Sequence, residues 1–274
     1  MIDTHIHLDE EAYEADREEV IARQLAEGVE AMIVPGVNAA SIPAILEICH
    51  AHPGFCYPAL GFHPQDVKED WEKQWAIIEK AIRENRSELV AIGEIGLDYY
   101  WDTTFKAEQQ EIFRRQLALA QELDLPVMIH NRDATEDSLR ILKDAQMANG
   151  KWKMEKSLHG VVHCFNGSKE VAQQILNMGF YLGIGGVITF KNCKLADTLK
   201  ELNTEYRVQN TDIISRLVLE TDGPYLAPTP HRGERNESRY MRLVAERLAQ
   251  VFERPIEEMI SITSANAKAL FHLK

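Results

Sequence analysis

Eight short, mostly apolar runs punctuate the chain, at residues 3–8, 31–34, 55–61, 89–92, 126–130, 160–165, 180–184 and 216–220. Runs of this length without strict alternation predict strands buried on both faces, because a strand with one wet face carries a polar residue at every second position. Between them lie longer stretches of helical spacing, predicted over residues 10–27, 41–51, 71–85, 104–123, 135–148, 169–178 and 194–202. In the third of these, Trp71, Trp75, Ile78 and Ile82 recur at three- and four-residue steps, so one stripe of that helix faces a core. Gly28 is a stop for the first helix. Two more helices, over 237–252 and 255–263, close the chain. Residues 149–157, with Lys151, Lys153 and Lys156, read as a solvated loop.

Strands of this kind alternating with helices predict a parallel sheet covered on both sides, and eight such units closing on one another make a (β/α)8 TIM barrel. The expectation is α/β, one barrel domain over residues 1–274, slightly elaborated by an extra C-terminal helix. In such barrels chemistry sits at the carboxyl ends of the strands. His5 and His7 close the first strand, His63 follows the third, and Glu94 ends the fourth. His130, His163 and Asp222 end the fifth, sixth and eighth. A single histidine at a strand end is ordinarily a hydrogen-bonded structural residue, and an aspartate before Gly-Pro ordinarily forms a turn. It is the convergence of all seven at one mouth that points to a shared metal centre.

His5 and His7, two apart on a strand, share a face. Imidazoles and carboxylates without a thiolate suit zinc, nickel, manganese or magnesium. One catalytic zinc takes about three protein ligands, whereas His5, His7, Glu94, His130, His163 and Asp222 suit two divalent ions about 3.5–4 Å apart. Glu94 stands between the two histidine groups in strand order and is the natural bridge.

The segments Asp3-Thr4-His5-Ile6-His7-Leu8, Gly61-Phe62-His63-Pro64, Gly93-Glu94-Ile95-Gly96-Leu97-Asp98-Tyr99-Tyr100, His130-Asn131-Arg132-Asp133-Ala134, His163-Cys164-Phe165 and Glu220-Thr221-Asp222-Gly223-Pro224-Tyr225-Leu226 carry a resemblance. Through them the chain resembles the TatD family of metal-dependent hydrolases, in the amidohydrolase-like barrel group, over nearly its whole length. The resemblance implies one ion held by His5, His7, Glu94 and Asp222 and a second held by Glu94, His130 and His163. It also implies metal-dependent deoxyribonuclease activity, including 3′ to 5′ exonuclease action. The chain departs from the family pattern at Gln65, where a second histidine is common, at Asn131, where a serine is, and at Asn236-Glu237-Ser238, where Asn-Glu-Pro is. These departures bear on substrate preference rather than on a ligand.

A net charge of −13 opposes long-range attraction of nucleic acid or an anionic membrane. Positive charge for DNA or a smaller phosphodiester must then be local, from bound ions or from Arg132, Arg232, Arg235 and Arg239, whose guanidinium forks match phosphate. Gly185, with Gly183 and Gly186, stands after the seventh strand, where barrels often bind phosphate; a turn needing positive φ explains these glycines equally well. Tyr99, Tyr100, Trp101 and Phe165 near the mouth offer faces for a base, or pack the rim.

In the expected phosphodiester hydrolysis, Asp222 orients the attacking water and accepts its proton while Glu94 bridges. His63 either donates to the phosphate or supports another group from behind. The alternatives are an amidohydrolase acting on a small amide or lactone, an enzyme for a small phosphate ester, and a non-catalytic barrel that binds a metal or partner. Barrel amidohydrolases often bridge their ions with a carboxylated lysine, and here Glu94 occupies the fourth strand end with no lysine at the fifth.

Cys49, Cys56, Cys164 and Cys193 form no C-x-x-C pair, which suits a reducing compartment. Cys49, His50, His52 and Cys56 read as helix-end and strand residues rather than a zinc knuckle. No signal-like start and no run of ~20 apolar residues stands in the sequence, so a cytoplasmic, non-membrane protein is expected, with a monomer favoured.

Overall fold

Each apolar run becomes a strand laid parallel to the one before it. The computed structural model describes residues 1–152, 158–208 and 212–274. The chain runs β1 (Ile2–Asp3), α1 (Glu11–Glu14), α2 (Arg17–Ala26), β2 (Ala31–Pro35), α3 (Ile42–Ala51), β3 (Cys56–Leu60), α4 (Trp71–Glu84), β4 (Ala91–Asp98) and α5 (Lys106–Leu123). It continues through β5 (Val127–Arg132), α6 (Thr135–Trp152), β6 (Gly160–Val162), α7 (Lys169–Asn177), β7 (Tyr181–Ile184), α8 (Leu195–Val208), β8 (Leu217–Leu219), α9 (Met241–Phe252) and α10 (Ile256–Phe271).

The strands lie in sequence order in one eight-stranded sheet. Its two ends meet beyond the short β1: the Thr4 N–H donates to the Leu219 carbonyl at 3.1 Å, the Asp222 N–H donates to the His5 carbonyl at 2.9 Å, and Ile6 bridges Gly223 in parallel. That is the (β/α)8 TIM barrel.

Side-chain alternation along the strands divides the core in two. Ile2, Ala31, Ile33, Ala59, Ala91, Met128, Val161 and Val218 fill the barrel, and Ala267, Leu270 and Phe271 of α10 close its floor. Alanine at three of these positions fits a narrow interior. The opposite faces, with Met32, Val34, Leu60, Ile92, Val127, Ile129 and Leu182, pack under the helices. Each such side chain fully buried contributes ~1.5–3 kcal/mol, so the rim of the mouth rests on a rigid wall.

Several expected boundaries move. The 10–27 segment breaks into α1 and α2 around Asp16, and Gly28 ends α2 with φ +82°. His5 and His7 lie beyond β1 rather than inside it. β4 and β5 run on to Asp98 and Arg132 because they stay paired to that point. α6 continues to Trp152, so Lys151 belongs to a helix rather than to a loop, while Lys153 and Lys156 lie outside the described residues. α8 and α10 run to Val208 and Phe271, past the expected ends at 202 and 263. The α10 extension is what supplies the floor.

Candidate metal centre

Strict alternation along β4 would put Glu94 on the helix-facing side with Ile92. A β-bulge prevents this. Ile92 pairs with Val127 and Ile95 with Ile129, so three steps on β4 match two on β5. Ile92, Ile95 and Leu97 therefore all face the helices, and Glu94 and Asp98 turn inward. His130 on β5 and His163 just after β6 follow Met128 and Val161 in facing inward by simple alternation.

Glu94 divides its two oxygens between two groups of imidazoles. Oε2 lies 3.1 Å from His5 Nε2 and 3.5 Å from His7 Nε2. These two nitrogens are 3.2 Å apart, and Asp222 Oδ1 is 3.7 and 3.6 Å from them. Four ligand atoms held by bonds of about 2.0–2.1 Å to a tetrahedral ion stand about 3.3–3.4 Å apart. The five measured edges, from 3.1 to 3.7 Å, straddle that value. Oε1 lies 2.7 Å from His130 Nδ1, 2.8 Å from His163 Nε2 and 3.5 Å from His63 Nε2, with the first two nitrogens 3.3 Å apart. His63, Glu94 and His130 thus form one group able to hold an ion. His5, His7 and Asp222 form another, and His5, Glu94 and His163 a third between them.

The electrostatics agree with a site built for positive charge. Burial opposes ionisation of His163, but Glu94 beside it pushes its pKa up to about 10. His7, buried likewise, is raised to about 9 by its hydrogen bond to Asp222 and the charge of Glu94. His5, fully buried beside His163, is lowered to about 4. Burial resists ionisation of Glu94 too, yet the surrounding imidazoles hold it well below the usual carboxylate range. The carboxylates thus favour cationic charge at two places, one on each side of Glu94.

Comparison with known proteins shows the family. The model of the TatD-related DNases matches residues 2–272. The chain belongs to the TatD-related DNase family. It is 43% identical to the uncharacterized metal-dependent hydrolase YabD of Bacillus subtilis over 274 residues, covering 100% of this chain and 99% of the relative. It is 32% identical to the 3′-5′ ssDNA/RNA exonuclease TatD of Salmonella typhimurium, covering 100% and 99%. The crystal structure of YJJV, a TatD homolog from Escherichia coli, superposes with a TM-score of 0.87 at 28% identity, covering 100% and 98%.

Around the TatD-family mouth, three carboxylates that the sequence reading gave no role stand behind the centre: Asp98 bonds an imidazole, Asp3 ties two ligand segments together, and Glu220 faces His163 without bonding it. Asp98 Oδ2 accepts from His130 Nε2 at 2.9 Å, which leaves His130 Nδ1 to face the centre. Its even spacing from Glu94 on one strand was the available signal. Asp3, fully buried, accepts from the His5 N–H at 3.1 Å and the Thr221 N–H at 3.0 Å, and its other oxygen takes the Thr221 and Ser238 hydroxyls, each at 2.6 Å. It ties the His5 segment to the Asp222 segment.

Glu220 is buried at the end of β8, and burial raises its pKa to about 8. Its Oε1 accepts from the Cys164 N–H and lies 3.8 Å from His163 Nδ1. Glu220 Oε2 and His163 Nδ1 are both buried without a hydrogen-bond partner. A Cβ on Gly183 would stand 2.1 Å from Glu220 Oε2, so only glycine fits beside this carboxylate. Gly183, Gly185 and Gly186 have no positive φ. Close approach rather than a turn explains Gly183, and Gly186 likewise, where a Cβ would stand 2.2 Å from the Leu226 carbonyl.

The remaining candidates are dispersed. Arg132 lines a cavity of about 430 Å³ together with His130, His163 and Asp222, and its guanidinium stacks 3.9 Å over Tyr100. Arg232 is exposed and lies 4.0 Å over the Phe190 ring. Arg235 forms a two-pronged bond to Asp16 at 2.6 and 2.7 Å and meets Glu237 at 3.3 Å, while Arg239 meets Glu237 at 3.0 Å. Both are tied to carboxylates of the wall, unlike Arg132. Gly185 is buried and does not line the cavity.

Two departures from the TatD pattern turn out to be structural neighbours of the centre. Gln65 Nε2 donates to Asp98 Oδ2 at 2.8 Å, and Ser238 caps Asp3. Asn131 instead bonds Thr135 and Ser138. His50 pairs with Glu88 and His52 with Glu18, and neither joins a metal-capable group among the described residues.

Proposed function

We propose that the chain hydrolyses phosphodiester bonds of nucleic acid as a two-ion enzyme, a TatD-like deoxyribonuclease with 3′ to 5′ exonuclease action. The observation that carries this is the partition of the Glu94 carboxylate between two imidazole groups, Oε2 toward His5 and His7 and Oε1 toward His130 and His163. His5, His7, Glu94 and Asp222 would hold one ion, and Glu94, His130 and His163 the other. Magnesium, manganese, zinc and nickel all fit this donor chemistry. When bound, the ions supply Lewis acidity toward phosphoryl oxygens and lower the pKa of a water toward neutrality.

The chain's own groups supply the rest. The Gln65 N–H donates to His63 Nδ1 at 3.2 Å, and burial lowers the pKa of His63. The neutral ring therefore carries its proton on Nε2, aimed into the centre as a donor for a phosphoryl oxygen. Asp222 lines the cavity. Although its half-buried position opposes ionisation, its hydrogen bond to His7 lowers its pKa, so it is ionised and able to orient a water and accept its proton. Arg132 is the arginine placed to grip phosphate in the same cavity.

The relative that acts on single-stranded DNA and RNA supports a nucleic-acid substrate, and a smaller phosphodiester fits the same chemistry. The reading takes the chain as one catalytic domain, monomeric and cytoplasmic, which its four free thiols support. No helix among the described residues is long and apolar enough to cross a membrane.

The test strips the protein with a chelator and returns each divalent ion in the presence of single-stranded DNA, double-stranded DNA and a panel of esters, amides and lactones. Restored cleavage of DNA, halted by a phosphorothioate at the 3′ end, is the expected result. Turnover of an amide or lactone with no ion restoring phosphodiester cleavage would refute it.

A further inference from the structure

A second cavity, of about 380 Å³, opens beside the metal centre with Gln65, Lys68, Asp98, Trp101, Phe105 and Gln109 in its lining. Its volume falls within the ~300–1,000 Å³ typical of small-molecule sites. It shares a wall with the centre: Asp98 lines the cavity and holds His130 through Oδ2, and Gln65 lines it and bonds the same oxygen. A ligand seated here is therefore one residue's width from the reacting atoms.

The ridge between the two cavities is aromatic. Trp101 is 67% exposed and Tyr100 53%, and they pack edge to face at 4.7 Å. Arg132, which lines the first cavity, lies 3.9 Å over Tyr100 and 5.3 Å over Trp101. Large aromatic side chains left in water on a rim are unspent stacking surface. The chemistry of the lining also discriminates. Asp98 and Asp102 contribute carboxylates to it, which repel a phosphate, whereas the Trp101 and Phe105 rings and the Gln65 and Gln109 amides suit a flat, neutral, hydrogen-bonding ring. Lys68 is exposed on the margin, where the phosphate attached to such a ring would turn outward.

We propose that this second cavity is a nucleobase subsite, in which the base of a nucleotide flanking the scissile phosphate stacks on Trp101 while the phosphate itself lies over the metal centre. The subsite rests on the nuclease reading for its role in catalysis, but it is measurable without turnover. It makes the enzyme prefer a strand with unpaired bases, because a base held in a duplex cannot enter.

The test compares the metal-loaded wild type with Trp101→Ala and Trp101→Phe on a single-stranded oligonucleotide and on methyl 4-nitrophenyl phosphate, a phosphodiester with no base. One base–aromatic stack is worth ~1–3 kcal/mol. The ratio of kcat/KM for the oligonucleotide to that for the small diester is therefore expected to fall about tenfold in Trp101→Ala, through KM, and to recover to within about threefold in Trp101→Phe. An unchanged ratio in Trp101→Ala overturns the subsite.

Indole fluorescence gives a second readout with adenosine 5′-monophosphate as the probe. Saturable quenching that disappears in Trp101→Phe supports the subsite even if no oligonucleotide is cleaved, an outcome that would sink the nuclease reading alone. Absence of such quenching alongside normal oligonucleotide cleavage overturns the subsite and leaves the nuclease reading standing.

Discussion

Replacing Glu94 with Gln tests the two-ion centre most directly, because the change keeps the shape and removes one of the two oxygens that face the imidazoles. The remaining carbonyl oxygen can point toward His5 and His7 or toward His130 and His163, but not toward both. The other side receives an NH2 group, which cannot ligate. With free ion at 100 times its Kd, each bound ion stabilises the fold by ~2.7 kcal/mol. Loss of a polar group supporting a ligand typically costs ~10–100-fold in metal affinity, so loss of a ligand atom itself is taken as ~100-fold.

At the same ion concentration the weakened site then contributes only ~0.4 kcal/mol, a loss of ~2.3 kcal/mol. At about 2–4 °C per kcal/mol for a domain of this size, the metal-dependent rise in Tm shrinks by about 5–9 °C. The assay is thermal unfolding with metal and with chelator, together with elemental analysis of ions per chain. Subtracting the chelator value removes the effect of the substitution on the metal-free protein, where Glu94 compensates the charges on His7 and His163. Two ions per chain with an undiminished metal-dependent rise would show that Glu94 is not the bridge.

Asp222→Asn is expected to lower kcat by ~10²–10⁴-fold while keeping most of the metal, and unchanged turnover would remove Asp222 as the proton acceptor. Above pH about 8, where Glu220 ionises, Glu220→Gln keeps the bond from the Cys164 N–H but removes the charge facing His163 and is expected to weaken metal binding ~10–100-fold; equal affinity by calorimetry at that pH would make Glu220 purely structural. Arg235→Ala is expected to lower Tm and leave KM within about twofold, since its guanidinium is committed to Asp16 and Glu237. Hydrogen bonding to Arg235 holds the Asp16 pKa below its unfolded value. Glu237 is buried, which works the other way, yet its bonds to Arg23 and Gln24 and the charge of Arg239 leave it depressed too. The stabilisation is thus present at neutral pH and lost as pH falls through the folded carboxylate range, so the Tm deficit of Arg235→Ala should close in acid. A large rise in KM would restore Arg235 as a phosphate contact.

The alternation of apolar runs with helical stretches was enough to read the barrel, because a parallel strand buried on both faces leaves an unbroken apolar signature that needs no knowledge of its partners. The same holds for the strand ends. His130 and His163 fall where simple alternation sends them, and His5 and His7 are marked by their spacing.

Glu94 is different: its inward direction depends on a bulge whose existence is a matter of pairing between β4 and β5. Asp3, Asp98 and Glu220 stand in the motifs without a role of their own, and the donors they accept from or face lie on other segments as well as their own, from His130 and His163 to Thr221 and Ser238. The candidate arginines were indistinguishable in sequence, yet Asp16 and Glu237 engage Arg235 while Arg132, at the end of β5, stacks on Tyr100.

By itself, then, the sequence determined the architecture and the residue types that the strand ends bring to one mouth, since hydrophobic period and residue type are local properties of a chain. Which oxygen of Glu94 meets which imidazole, which carboxylates stand behind them, and where a base can lie were decided only by the closed barrel. Those are distances between residues tens to hundreds of positions apart, and only the shared packing of eight strands brings them to hydrogen-bond range.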